Sequence, residues 1–177
     1  MANEIITLAE CNASDLATFK RELQDAFAVA VIDEFGDLPD GPIPSDEDLN
    51  DACMASGSVV LRILLDGQKI GGAVVMINQE TQRNRLDLFF VKTGYHGRGL
   101  GLKAWLAIEN RYEQTRIWQT HTPYFEKRNI HFYVNKCGFK IIEFFNKYHP
   151  DPHRLAGAGE FPGDDDAFQF EKVMRTD

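Results

Sequence analysis

Cysteine is scarce in this 177-residue chain: Cys11, Cys53 and Cys137 are the only three, and none forms a CxxC pair. An odd, widely spaced set of thiols suits a reducing compartment and argues against a thiolate metal site. Basic charge is also short, with 19 Lys and Arg against 27 Asp and Glu and a net charge of -8. That sign is wrong for affinity to phosphate backbones, so nucleic acid is not expected as a partner. No Lys or Arg occurs between Arg21 and Arg62, while Asp25, Asp33, Glu34, Asp37, Asp40, Asp46, Glu47, Asp48 and Asp51 fall in that gap. No apolar run approaches membrane-spanning length, and the opening MANEIITLAEC has neither the basic region nor the apolar core of a signal peptide. A soluble, cytoplasmic protein with no membrane partner is expected.

What is present describes a globule. An apolar content of 44% with 13 Phe is foreign to disordered chains. The length suits one buried core, and a single domain over residues 1–177 is expected. Ile5, Ile6 and Leu8 suggest a first strand, and Ser14 or Asp15 can cap a helix carrying Leu16, Phe19, Leu23, Phe27 and Val31 at helical spacing. GDLPDGPIPSDEDL breaks that helix, and Ser45 caps a second one reaching about Cys53. SVVLRILL, the turn Asp66-Gly67 and KIGGAVVMIN read as a hairpin, followed by a third strand, RLDLFFV. A helix comes next, with Gly101, Ala104, Trp105, Ile108 and Tyr112 on one face, and then the strand TRIWQTH. Thr122 with Pro123 predicts a helix start and Gly138 its stop. FKIIEFF and AFQFEKVM are the last strands, joined by a connection whose length suggests a functional lid or, equally, a mobile segment. The result is an α/β mixture with one strand-loop-helix-strand crossover, whose two strands must be parallel neighbours.

The loop of that crossover, VKTGYHGRGLGLKAWL, places Gly94, Gly97, Gly99 and Gly101 between a strand and a helix. A helix N-terminus presents unpaired N–H groups and the positive end of the helix dipole, and glycines let phosphate oxygens approach them. A P-loop fits poorly because Gly101 is followed by Leu102, Lys103 and Ala104, with no hydroxyl for magnesium. A dinucleotide fold fits poorly, because three strands run consecutively before the loop.

These residues resemble the acetyl-CoA pyrophosphate loop, [QR]xxGx[GA], of the GNAT N-acetyltransferase superfamily, with His96 where Gln or Arg is usual. NIHFYVNKCGF, Asn129 to Phe139, resembles that family's second signature, a helix with a Tyr before Gly-Phe. The resemblance implies a GNAT fold: a mixed sheet of about seven strands, parallel strands 4 and 5 splayed apart, and four flanking helices. It implies acetyl-CoA as cosubstrate, with the diphosphate over His96, Gly97, Arg98, Gly99, Leu100, Gly101 and Leu102. Main-chain groups of Phe89, Phe90 and Val91 would pair with the pantetheine arm. Glu126 stands where the family often has a cofactor-contacting Asn, and Asn129 is a substitute on the same face. Tyr133 would return a proton to the CoA thiolate. Asp87 is the first candidate base, provided that strand register does not turn it to solvent. His121 is the second.

The implied activity is acetyl transfer to a primary amine of a small acceptor, such as an amino acid, a polyamine or an amino sugar. A lysine-like amine of pKa ~10.4 costs about 4.6 kcal/mol to deprotonate at pH 7, so a base matters there. The acidic gap could draw a cationic amine or simply be solvated. A catalytically silent CoA-binding sensor and an ATP-binding loop are the competing readings. Cys137 reads as core, HPDPH as a rigid turn rather than a metal site, and the C-terminal strands as a possible homodimer surface.

Overall fold

The structure, a computed structural model, describes residues 3–36, 42–152 and 166–176. β1 (Ile6–Glu10), β2 (Ser58–Leu65), β3 (Gln68–Met76) and β4 (Arg83–Val91) lie side by side, each antiparallel to the next. Strands joined by short turns pair with their neighbours, as β2, β3 and β4 do, while β1 joins their edge after a connection that carries two α-helices. Asp66 and Gly67 turn between β2 and β3 with φ of 49° and 88°, the two left-handed residues that a tight hairpin demands.

α1 (Leu16–Phe35) and α2 (Asp46–Met54) cover one face of this sheet. Phe19, Leu23, Leu49 and Cys53 pack there against Val74 and Phe90. The approach is close: a Cβ on Gly72 would stand 2.2 Å from Phe19 Cε2, and one on Gly71 would stand 2.2 Å from the Phe90 carbonyl oxygen. Two adjacent strand glycines are therefore needed for α1 and β4 to reach β3. Gly36 ends α1 in the left-handed region, its N–H on the Ile32 carbonyl at 2.8 Å. Ser45 caps α2, its Oγ accepting from Asp48 N–H at 3.1 Å. Asp46, Glu47 and Asp48 fill the first turn of α2, where the helix dipole favours negative charge. Part of the acidic gap thus has a local structural use, and Asp37 and Asp40 lie outside the described residues.

One cap differs from expectation. Asp15 occupies the N-cap position of α1 but makes no capping hydrogen bond. Its carboxylate is taken by Arg62 of β2, which also holds Glu22, so a buried guanidinium outcompetes the helix's first amides.

After β4 comes α3 (Leu100–Arg111), which covers the other face with Trp105 and Ile108 packed against Leu61, Leu86 and Trp118. β5 (Ile117–Pro123) then pairs parallel to β4, as the crossover predicts. α4 (Lys127–His131) continues as a π-helical turn, Phe132–Lys136, and Gly138 ends it at φ 85°. β6 (Lys140–Phe145) and β7 (Ala167–Val173) complete a seven-stranded sheet ordered β1-β2-β3-β4-β5-β7-β6.

The expected helix start at Thr122-Pro123 is corrected here. Both residues belong to β5, opposite Phe168 and Ala167 of β7, and Tyr124 N–H extends the pairing to the Asp166 carbonyl at 2.8 Å. A seven-residue antiparallel ladder outweighs the local preference of one Thr-Pro pair. β6 forms an edge with Ile141, Ile142 and Phe144 exposed. Among the described residues, no helix is long and apolar enough to cross a membrane. The predicted lid tip, RLAGAGEFPGDDD, lies outside the described residues, except for its last residue, Asp166.

Candidate active site: an opened strand pair beneath a glycine turn

β4 and β5 begin as partners and then part. Their register runs from Arg83 opposite Ile117 to Leu86 opposite Thr120 and stops there. The cause lies on the other side of β4, where Val75 opposes Leu86 and Val74 opposes Leu88. Asp87 is an extra residue in β4, a bulge, and such insertions bend the strand and end pairing. The bulge also shifts the alternation. Leu86 and Phe89 both face the α3 cluster, whereas Leu88 and Phe90 face α1 and α2.

The backbone of β4 beyond the bulge follows from the register. Lys92 N–H bonds the Ile70 carbonyl at 2.8 Å, which turns the main-chain groups of Lys92 and Phe90 toward β3. Those of Phe89 and Val91 therefore point into the gap. The Val91 carbonyl is already engaged by His96 Nε2 at 2.6 Å, and His96 Nδ1 receives Arg128 Nη2 at 3.4 Å. With Nε2 donating and Nδ1 accepting, His96 acts as a neutral bracket joining β4, the glycine turn and α4. Of the three main-chain positions expected to meet the pantetheine arm, Phe89 is thus left fully open to the gap, and Phe90 is spent on β3.

Gly97 and Gly99 carry φ of 78° and 72°, and a Cβ on either would enter open space. Gly99 is the N-cap of α3, and the first helical bond runs from Lys103 N–H to the Gly99 carbonyl at 3.2 Å. The N–H groups of Leu100, Gly101 and Leu102 precede that bond and point out of the helix end. Gly101 is different: its Cβ would meet Phe132 at 3.4 Å, so its smallness serves the contact between α3 and the π turn rather than the open cradle. Arg98 pairs with Glu4 and lies over the Tyr95 ring, 6.0 Å from its centroid.

Tyr133 stands at the point where the strands part. It is 5% exposed and packs against Phe132, Phe139 and Phe170. Thr120 is the neighbour that eases ionisation of its hydroxyl, and Thr120 Oγ itself donates to the Leu86 carbonyl at 2.9 Å. Leu86 and Thr120 are the last paired residues of β4 and β5, so the phenol neighbours the apex of the gap. Burial pushes its pKa far above the usual phenol value, and Cys137 and Glu126 add to the shift, the one favourable influence being Thr120.

The remaining predicted residues are spread around this apex. The Asp87 carboxylate is engaged by Arg85, with Nε at 3.0 Å. His121 is half-buried, its ring stacked on Phe145 at 6.5 Å. Asn129 lies on α4, half-buried. Cys137 is buried beneath the π turn, and desolvation lifts its thiol to about 12, which disfavours a nucleophile. His149 pairs with Glu143 at 2.7 Å and stacks on Phe145, while His153 lies outside the described residues.

Glu126, read from the sequence only as a departure from a motif, proves to be a half-buried carboxyl in the turn between β5 and α4. Burial raises its pKa, Arg128 opposes the rise and Glu34 of α1 adds to it. The adjacent Phe125 packs edge-on against Phe35 at 5.0 Å, which brings the end of α1 to this turn. The signal that could have flagged it is an acidic residue just past an opened strand.

Comparison with known proteins agrees with this geometry. The profile of the Acetyltransferase (GNAT) family matches residues 20–139. The uncharacterized protein YrkN of Bacillus subtilis (strain 168) is 53% identical over 174 residues, covering 96% of this chain and 94% of its own. The ribosomal-protein-S18-alanine N-acetyltransferase from Escherichia coli superposes with a TM-score of 0.69 at 14% identity, over 98% of this chain and 96% of that one. A Bacillus subtilis acetyltransferase in complex with CoA does so at 0.63 and 15%, over 97% and 99%. A GNAT family acetyltransferase from Elizabethkingia anophelis with acetyl-CoA bound gives 0.64 and 15%, over 95% and 97%. With its bulged β4, its parted β4–β5 pair and its glycine turn at the head of α3, the chain belongs to the GNAT acetyltransferase family.

Proposed function

We propose that this protein moves the acetyl group of acetyl-CoA to a primary amine of a small acceptor, by direct attack within a ternary complex. The observation that carries the reading is one place where three features meet: the gap between β4 and β5, the open amides of α3, and the Tyr133 hydroxyl at the apex. Acetyl-CoA, when bound, supplies the activated acyl carbon. The amides of Leu100 to Leu102 would hold its diphosphate, aided by the dipole of a twelve-residue helix. Phe89 main-chain groups would steady the arm and the thioester oxygen. Tyr133, kept a phenol by burial, would donate to the departing sulfur. His96 holds the turn against β4, and Asn129 stands on the helix that flanks the arm. The β6 edge would suit a second copy of the chain.

A second reading has one observation in its favour. Asp87, the first expected base, has its carboxylate occupied by Arg85, so a CoA-binding sensor without turnover is the alternative. Calorimetric titration with acetyl-CoA, followed by CoA release against a panel of amines, separates the two. The transfer reading expects binding and release with one amine class. Binding without release from any amine would favour the sensor, and no binding would sink both.

The glycine turn gives a narrower expectation. Gly99→Ala places a Cβ in the open space above the amides and a non-glycine residue at φ 72°. The strain costs about 1–2 kcal/mol of stability. Loss of one amide contact to a charged oxygen, worth about 1.5–3 kcal/mol, weakens acetyl-CoA binding at least about tenfold. Calorimetry on the folded variant tests this. Unchanged affinity would mean that the diphosphate lies elsewhere.

A further inference from the structure

We infer that Glu126 is the group that receives the acceptor's ammonium and takes its proton. The inference rests on the transfer reading above and adds to it the base and the charge class of the acceptor. A half-buried carboxylate normally finds a donor, because desolvation without compensation is costly. Among the described residues, no hydrogen bond or ion pair closes on the Glu126 carboxylate; its influences are burial and the through-space charges of Arg128 and Glu34. Arg128, two residues along on α4, is turned away, with Nη2 on His96.

The groups around Glu126 fix what it can bind. From α1 comes Glu34, at the end of a segment without a basic residue between Arg21 and Arg62. From the π turn comes Tyr133, whose hydroxyl feels the Glu126 charge. From α4 comes Arg128. The first turn of α4 therefore has two ends, a cation directed to the glycine turn and an unpaired carboxylate in the turn that follows β5. The carboxylate end suits a cationic primary amine, and Glu34 adds a second negative charge suited to an acceptor bearing a second ammonium. The raised carboxyl pKa brings Glu126 closer to that of an ammonium, which makes it a better base than an exposed carboxylate.

In the step, Glu126 accepts one proton from R–NH3+. The freed lone pair forms the C–N bond at the thioester carbon while the carbonyl π pair moves to oxygen. When the carbonyl re-forms, the C–S bond breaks and the sulfur takes a proton from Tyr133. The second nitrogen proton restores Tyr133, and Glu126 releases its proton to solvent. The sum is R–NH3+ plus acetyl-CoA giving the amide, CoA and one proton.

The test is Glu126→Gln, with Glu126→Asp as its companion, assayed with acetyl-CoA and 1,4-diaminobutane, lysine or glucosamine from pH 6 to 10. Glu126→Gln removes a half-buried charge that no hydrogen bond or ion pair holds among the described residues, so it is expected to melt no lower than wild type. It should bind acetyl-CoA within twofold of wild type and lose about 10²-fold in kcat/KM for the amine at pH 7. The deficit should shrink as pH approaches the amine pKa, because the neutral amine needs no base, and Glu126→Asp should recover part of the loss. Three results overturn the assignment while leaving acetyl transfer intact: a Gln variant within twofold of an active wild type at pH 7, a deficit that does not depend on pH, or a loss confined to acetyl-CoA affinity. A wild-type protein that binds acetyl-CoA but acetylates no amine would overturn the transfer reading and this assignment together.

Discussion

Tyr133→Phe is expected to lower kcat about 10²-fold while leaving acetyl-CoA affinity within twofold, the lower end of what a positioned acid contributes. The size follows from how the phenol is held. Burial raises its pKa well above the ordinary value, so the proton is always present, yet it is a poor match for a thiolate and moves only as the C–S bond opens. The ring itself is core, in contact with Phe132, Phe139 and Phe170, and Phe keeps all of that packing. Thr120 still donates to Leu86, so no buried donor is stranded and the stability change stays below about 1 kcal/mol. Steady-state kinetics with calorimetry on the same preparation checks it. A kcat within twofold of wild type would reduce Tyr133 to a packing residue.

How much of this is readable in the letters depends on the range of the interaction. The β2–β3 hairpin, the stop at Gly36 and the cap at Ser45 are set by residues within a few positions of one another, and they stand where the sequence puts them. The glycine turn is local in the same sense, and so is the parallel crossover that follows it. The start of α4 is not local, because Thr122 and Pro123 answer to Phe168 and Ala167 of β7, far along the chain. Asp15 leaves its cap for Arg62, 47 residues away, for a similar reason. The opening of β4 from β5 turns on a bulge at Asp87, visible only once β3 and β4 are in register. Glu126 can be noticed as a departure from a motif, but its lack of a partner is a fact of three dimensions.

Arg62→Ala is expected to cost about 3–5 kcal/mol, a large part of the ~5–15 kcal/mol by which a domain is stable. Arg62 is 2% exposed. Its Nε and Nη2 donate to Asp15 at 2.7 and 3.2 Å, its Nη1 donates to Glu22 at 2.6 Å, and its Cζ lies 5.2 Å from the Phe19 ring centroid. Truncation strands two carboxylates, although Lys69 at 3.0 Å from Asp15 and Lys92 at 3.1 Å from Glu22 remain, which favours the lower half of the range. The pH signature identifies the cause. Hydrogen bonds from Arg62 are the main influence holding Asp15 at about 2, against the opposing effect of burial. A depressed folded-state pKa gives stability that is full above the unfolded value of ~3.9 and is lost as pH falls toward 2. A carboxyl held that far below its unfolded value contributes about 2.6 kcal/mol, of which about 2 kcal/mol is lost between pH 5 and pH 2, so denaturant unfolding of wild type should weaken by at least that much over this range, and the slope should flatten in the variant. Loss of less than about 1 kcal/mol at pH 7, or an unchanged acid slope, would mean that the pair is incidental. The network also bears on function, because it fixes the helix whose far end presents Glu34 and Phe35 to the turn that carries Glu126. A loosened α1 should therefore raise KM for the amine before it affects acetyl-CoA, whose cradle belongs to α3.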